Sequence, residues 1–196
     1  MNVEIEQISS DRLEAYAGVP IAFEVRSILE ITEVGRGLEG FRLREVGVQV
    51  PYIKDCDASP EGGPEHWSER FDTSRWAFFL ASEGGRAVGG ATVAVDTPGL
   101  FMLAGRQDLA VLWDIRVLPE LRRAGIGAEL FRHAAGWSAG RACTNLKIET
   151  QNVNVPACRF YAKLGCRLGE IDRYAYAGDP SVAHEVMLVW YLDLDA

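Results

Sequence analysis

What most constrains this chain is one run near its middle, where an apolar stretch gives way to arginines and glycines and then re-forms as a helix. Residues 108–117 are rich in Leu, Val, Ile and Trp and read as a central strand, ended by Pro119. Arg122-Arg123-Ala124-Gly125-Ile126-Gly127-Ala128 follows. Residues 127–139 then carry Leu130, Phe131, Ala134, Ala135 and Trp137 at helical spacing, with Gly140 closing the helix. Gly125 and Gly127 let the main chain approach a ligand closely or take unusual dihedrals. The first four amides of a helix have no partner inside it, and with the helix dipole they favour an anion. Arg122 and Arg123 add positive charge there, which suits a pyrophosphate. A plain strand–turn–helix with glycines for tight packing accounts for the same residues. Rival phosphate loops fit less well, because no Lys-Ser/Thr pair follows the glycines and no G-x-G-x-x-G run occurs.

Elsewhere the pattern is mostly of strands. Residues 3–8 alternate apolar and polar, and 22–51 read as a hairpin broken at Gly35, Gly37 and Gly40, with a helix across 22–31 as the competing reading. Residues 55–72 form an acidic loop (Asp55, Asp57, Glu61, Glu65, Glu69, Asp72) with a helical turn near His66 to Arg70. A second hairpin pairs 76–81 with 87–95 around Glu83-Gly84-Gly85. After the central helix come a strand at 146–150, a short helix at 156–164 that opens on Pro156 and stops at Gly165, and strands at 166–176 and 184–194. This order predicts an α/β (α+β) fold, a mixed sheet with helices packed on it.

With 196 residues, 48% of them apolar and 24% charged, the chain suits one compact domain over 1–196: N-terminal strands and an acidic loop to residue 75, then a core over 76–196. A net charge of −8 argues against a nucleic-acid partner. Cys56, Cys143, Cys158 and Cys166 form no C-x-x-C pair and have no histidine at zinc-ligand spacing, so they read as reduced thiols and no metal is expected. No basic segment followed by an apolar run opens the chain, and no apolar stretch approaches the roughly 18 to 20 residues of a membrane span, so a cytoplasmic location without membrane contact is expected.

Arg122, Gly125 and Gly127 occupy the places of the Arg/Gln-x-x-Gly-x-Gly/Ala signature that follows the fourth strand in the GNAT superfamily of N-acetyltransferases. Downstream, Asn154, Ala157, Tyr161, Lys163 and Gly165 match that superfamily's Asn-x-x-Ala and Tyr-x-Lys-x-Gly-Phe, with Cys166 in place of the Phe. Two signatures in the right order are more specific than either alone. The chain therefore resembles this superfamily over about 76–194, and 1–75 fit more loosely. Within it the chain looks most like the streptothricin acetyltransferases, through Pro51-Tyr-Ile-Lys-Asp55, the run from Leu112 to Val117, the run from Ile148 to Ala157, Asp172-Arg-Tyr-Ala-Tyr176, Glu185 and the run from Trp190 to Leu194.

The resemblance implies a GNAT-type, mostly antiparallel sheet splayed between its fourth and fifth strands, with acetyl-CoA as co-substrate and no metal. It places the backbone of Ile115, Arg116 and Val117 along the pantetheine. Arg122 and the amides of Arg123, Ala124, Gly125, Ile126, Gly127 and Ala128 fall at the pyrophosphate, and Asn154 on the pantetheine from the other side. Tyr161 takes the place of the general acid, although an aromatic core contact beside Phe160 and Leu164 is the plainer reading. For the base, Glu149 matches the catalytic Glu of ribosomal-protein alanine acetyltransferases and comes first, with Asp114 second. Either reads equally as a substrate carboxylate or as a strand charge paired with Lys147 or Arg116, and a water chain without a dedicated base stays open.

Tyr52, Trp67, Tyr174 and Tyr176, with the acidic loop, read as an amine-binding wall or as an ordinary solvated surface. His66, His133 and His184 stand alone and read as structural or exposed. The acceptor is then a small-molecule amine, such as the β-lysyl amine of streptothricin, or a peptide amine. A silent acetyl-CoA-binding module is the non-enzymatic alternative, and a homodimer is common among enzymes of this kind.

Overall fold

The computed structural model describes residues 2–58 and 63–194. In chain order its elements are β1 (Val3–Ile8), α1 (Leu13–Ala17), β2 (Phe23–Glu33), β3 (Phe41–Lys54), α2 (Trp67–Arg70), β4 (Ala77–Glu83), β5 (Arg86–Val95), β6 (Leu109–Val117), α3 (Ile126–Ala139), β7 (Asn145–Gln151), α4 (Val155–Lys163), β8 (Arg167–Asp172) and β9 (Met187–Asp193). Seven strands share one sheet in the order β1-β4-β5-β6-β7-β9-β8, while β2 and β3 pair with each other. The first three pairings are antiparallel, and β6 pairs with β7 in parallel through the crossover helix α3. The expected mixed, mostly antiparallel sheet with flanking helices is therefore present, with β6 and β7 fourth and fifth across it.

Packing divides the chain into two compact units. One comprises Met1–Ala22, Asp55–Ile148 and Tyr191–Ala196; the other comprises Phe23–Lys54 and Glu149–Trp190.

In the first unit, α3 presents Ile126, Leu130, Phe131, Ala134 and Ser138 on one buried stripe, as its sequence spacing requires. A second apolar group includes Tyr16, Trp67, Trp76 and Phe78, with Trp67 stacked on Phe78 at 6.3 Å and met edge-on by Tyr16 at 5.8 Å. Burying each such ring contributes about 1.5–3 kcal/mol. Trp67 is only 5% exposed, so this core takes the ring that the sequence suggested for an amine-binding wall. Tyr16 lies so close to β5 that a Cβ added at Gly90 would sit 2.3 Å from its ring, which only glycine permits. The helix carrying Tyr16, α1, escaped the sequence reading because its five residues are too short to show a period. The helical turn expected near His66 to Arg70 is α2, while Glu61 and Gly62 of the acidic loop lie outside the described residues.

In the second unit, β2 and β3 form the expected hairpin, with a register shift between Val25 and Ser27. Asn152 holds three segments together. Its amide donates to the Leu29 carbonyl (3.0 Å), its side-chain oxygen accepts from Val186 N–H (2.8 Å), and its own carbonyl accepts from Leu29 N–H (2.9 Å). Helix α4 buries Val155, Cys158 and Tyr161 and ends at Gly165, whose φ of 91° is left-handed. Two strands are shorter than the sequence suggested. The strand expected over 166–176 stops at Asp172, whose carboxylate accepts from Tyr174 N–H at 2.8 Å and turns the chain. The strand expected from 184 starts at Met187.

Candidate active site

Strand β6 carries the first half of the candidate site. Its register against β5 slips between Thr92↔Asp114 and Val93↔Leu112, leaving Trp113 as the extra residue of a bulge. Parallel pairing with β7 covers Leu109–Leu112 against Asn145–Ile148 and extends no further. Beyond Val117 the chain turns through Pro119–Leu121 into a tight loop in which Arg123 (φ 69°) and Gly125 (φ 95°) are both left-handed, and α3 starts at Ile126. Among the described residues, the amides of Arg123, Gly125, Ile126 and Gly127 donate to no protein acceptor. Ala124 N–H bonds Leu121 O at 3.3 Å and Ala128 N–H bonds Gly125 O at 3.0 Å, so two of the six expected donors are already used. The four remaining amides at the head of a 14-residue helix fit an anionic diphosphate.

Arg122 spends two of its five guanidinium N–H donors inside the protein. It is half-buried and donates to the Val117 carbonyl (3.1 Å) and the Ala22 carbonyl (2.8 Å), which fixes the loop to the end of β6. Arg123 is exposed.

The side chains of β6 are committed within the first unit. Asp114 (8% exposed) accepts from Tyr16 O–H at 2.5 Å and from Arg116 at 2.9 and 2.7 Å. Arg116 (3% exposed) also donates to both oxygens of Asp57, at 2.8 and 3.1 Å, and to the Val19 carbonyl at 3.0 Å. Its guanidinium lies 5.2 Å from the centre of the Tyr16 ring. Burial, and then the charge of Asp114, hold the Tyr16 phenol well above the usual tyrosine pKa, so it stays a donor. Of the alternatives open for Asp114, the geometry matches the strand charge paired with Arg116.

The second unit gathers the other candidates. Glu149 on β7 accepts from Tyr176 O–H at 2.7 Å, and Gln151 donates to the same phenol oxygen at 3.3 Å. Burial, then the charge of Glu149 and its hydrogen bond, raise the Tyr176 pKa well above the usual value. Glu185, just before β9 and 3% exposed, accepts from Lys54 Nζ at the end of β3 on both oxygens, at 2.5 and 2.6 Å. Burial and then the charge of Glu185 raise the Tyr52 pKa, and Glu185 acts on Tyr176 in the same direction, so one cluster joins Tyr52, Lys54, Glu149, Tyr176 and Glu185. Tyr174 is 76% exposed in the turn after β8.

Tyr161 is buried on α4, its ring 5.4 Å edge-on to Phe160. Asn154 caps α4, its side-chain oxygen accepting from Ala157 N–H at 3.2 Å, which leaves its amide hydrogens as the groups able to meet a ligand. No group of three or more His, Cys, Asp or Glu among the described residues could hold a metal ion.

The model of the acetyltransferase (GNAT) family matches residues 50–166, more than half of the chain. The chain belongs to that family. Its relatives include a streptothricin acetyltransferase of Streptomyces lavendulae, 31% identical over 168 residues that make up 86% of this chain and 83% of the relative. A streptothricin acetyltransferase of Escherichia coli is 39% identical over 84 residues, 43% of this chain and 48% of that enzyme, so there the match spans about half the relative's length. A Bacillus anthracis structure solved in complex with acetyl coenzyme A shares the GNAT fold, with a TM-score of 0.77 and 22% identity over 100% of this chain and 99% of the other. No helix among the described residues of this GNAT chain is long and apolar enough to cross a membrane.

Lys54, Gln151 and Glu185 were not singled out as site residues from the sequence. Lys54 and Glu185 lie 131 positions apart, so no local spacing links them. The available signal was a lone lysine within Pro51-Tyr-Ile-Lys-Asp55 and a lone acid, Glu185.

Proposed function

We propose that this chain transfers acetyl from acetyl-CoA to a primary amine of a small cationic molecule, with a β-lysyl amine of the streptothricin kind as the leading acceptor. The observation that carries this reading is the set of four unspent amides from Arg123 to Gly127 at the head of α3, in a chain of the GNAT family. The streptothricin acetyltransferase of S. lavendulae, aligned over most of both chains, supports the acceptor class.

Acetyl-CoA supplies an activated thioester when bound. Arg123, Gly125, Ile126 and Gly127 hold its diphosphate by main-chain donation, the backbone of Ile115, Arg116 and Val117 lies along the pantetheine, and the Asn154 amide steadies it from α4. Glu149 takes the proton of the incoming ammonium, directly or through a water, while Tyr176 donates to Glu149 and fixes its orientation. Tyr161 donates its phenol proton to the departing sulfur. Tyr52 and Tyr176 give the acceptor side its aromatic character. Asp114 is left to structure. Attack is direct, with both substrates bound.

Calorimetry with acetyl-CoA tests the donor half, and turnover assays with streptothricin, a polyamine and short peptides test the acceptor half. Saturable binding with acetylation of streptothricin is expected. Turnover of peptides alone would move the assignment to protein N-terminal or lysine acetylation. Binding without turnover of any amine would make the chain a sensor of acetyl-CoA, and no binding at all would remove the reading.

A further inference from the structure

Gln151 and Glu149 both meet the phenol of Tyr176, and the direction of each contact is fixed by what each group can give. The two residues alternate along β7, so their side chains leave the same face of the strand. Tyr176 reaches both from the turn after β8, which is pinned by Tyr174 N–H on the Asp172 carboxylate (2.8 Å) and by Asp179 N–H on the Tyr176 carbonyl (3.0 Å). A phenol has a single hydrogen, and burial above all keeps it on Tyr176. An ionised carboxylate only accepts, so the 2.7 Å contact with Glu149 takes that hydrogen. The Gln151 contact, 3.3 Å from the same phenol oxygen, must then run inward, with the amide N–H as donor. Donation passes from Gln151 to Tyr176 to Glu149 and ends on the carboxylate. The main chain of Gln151 is held separately, its carbonyl accepting from Asn154 N–H at 2.9 Å and from the Cys158 thiol at 3.8 Å. A change confined to the side-chain amide leaves those ties in place.

We propose that Gln151 is a positioning residue for acetyl transfer: by donating to the Tyr176 oxygen it commits the phenol hydrogen to Glu149 and steadies that carboxylate for the ammonium proton. The inference rests on the base role given to Glu149 above. Gln151 itself touches neither substrate nor the reacting atoms in this account.

The test uses the full-length protein with streptothricin as acceptor. Gln151→Met keeps the length of the side chain and removes its donor. It is expected to lower kcat about threefold to tenfold, the scale of one hydrogen bond, with the acetyl-CoA Kd and the urea midpoint close to wild type. Gln151→Glu has the same shape but accepts when ionised, so it competes with Glu149 for the phenol hydrogen and should lower kcat further, by about tenfold or more. In a Tyr176→Phe background, Gln151→Met is expected to change kcat by less than about twofold, because the amide has no phenol to act through. The tyrosine Fermi doublet in Raman spectra, taken as the difference from Tyr176→Phe, reads hydrogen-bond direction without turnover. Gln151→Met should move it toward a phenol that only donates. An unchanged kcat in Gln151→Met, an equal loss in the Tyr176→Phe background, or a doublet that stays put or moves toward acceptance would each overturn the proposal. A wild type without turnover, or a Glu149→Gln variant that keeps full kcat, fails the underlying reading and takes the proposal with it. A loss in Glu149→Gln without one in Gln151→Met fails the role of Gln151 alone.

Discussion

Two acidic side chains on strands of the same sheet, Asp114 on β6 and Glu149 on β7, began as rivals for one chemical role, and their surroundings separate them. Asp114 belongs to a closed set: Arg116 grips both its oxygens, Tyr16 donates to one, and Arg116 goes on to Asp57 and the Val19 carbonyl. A base placed there would have to give up a guanidinium before accepting a proton. Glu149 is only partly buried, and its hydrogen-bonded neighbour Tyr176 is itself bonded to Gln151 and lies in the field of a second carboxylate, Glu185. One acid is surrounded by what it needs to stay folded, the other by groups suited to orienting a carboxylate. Residue type and strand position alone do not distinguish them.

The largest expected effect would break the comparison on its structural side. Arg116→Met removes the cation from two carboxylates, and about 3–5 kcal/mol of stability should be lost, read as a lower urea midpoint. A loss below about 1 kcal/mol would show that the set is not structural. On the catalytic side, Glu149→Gln should lower kcat by about 10²–10⁴-fold with the urea midpoint nearly unchanged. Asp114→Asn should do the reverse, costing about 1–3 kcal/mol of stability while activity per folded molecule stays close to wild type. Tyr161→Phe should lower kcat by about tenfold to hundredfold and leave the acetyl-CoA Kd within about twofold. Equal activity would return Tyr161 to the core contact that its packing on Phe160 also allows.

A pH prediction bears on both regions at once. Burial, then a neighbouring carboxylate, raises the phenols of Tyr16 and Tyr176, while an unfolded tyrosine releases its proton near pH 10. The unfolded chain therefore loses protons first, so stability should be unaffected by these groups below about pH 10 and fall as pH rises beyond it. Tyr176→Phe should make that fall shallower in denaturant titrations, and an unchanged slope would mean the phenol is not buried as described.

The smallest effect is a reactivity difference. Burial pushes the Cys158 thiol up to about 12 and Cys166 up to about 11, so iodoacetamide at pH 8 should label half-exposed Cys56 and leave those two unlabelled until the chain is denatured. Early labelling of Cys158 would report that the unit holding Glu149 opens readily.

The sheet and its two long hairpins were legible because strand-like apolar runs interrupted by clustered glycines (Gly35, Gly37 and Gly40; Gly84-Gly85) have few other solutions. The loop before α3 was legible as chemistry because Arg122, Gly125 and Gly127 fall at a strand end and a helix start together. Helix α1 was not, since its function rests on one ring lying against Gly90. The aromatic residues grouped as a wall parted for a similar reason. Trp67 serves a core that sequence cannot locate, whereas Tyr176 finds Glu149 through a turn whose path is set by Asp172 and Asp179. Arg122 shows the limit of signature reading: a motif does not say that two of the guanidinium's N–H groups go to main-chain carbonyls.

Donors supplied by the main chain between Arg123 and Gly127 have a consequence for mutagenesis. Truncating the exposed Arg123 side chain leaves its N–H in place and should read as nearly inert, whereas alanine at left-handed Gly125 or buried Ile126 reports backbone strain or lost packing instead of a lost donor. A backbone ester at Ile126, which deletes a single hydrogen and keeps the buried side chain, is the substitution to which such a loop is sensitive.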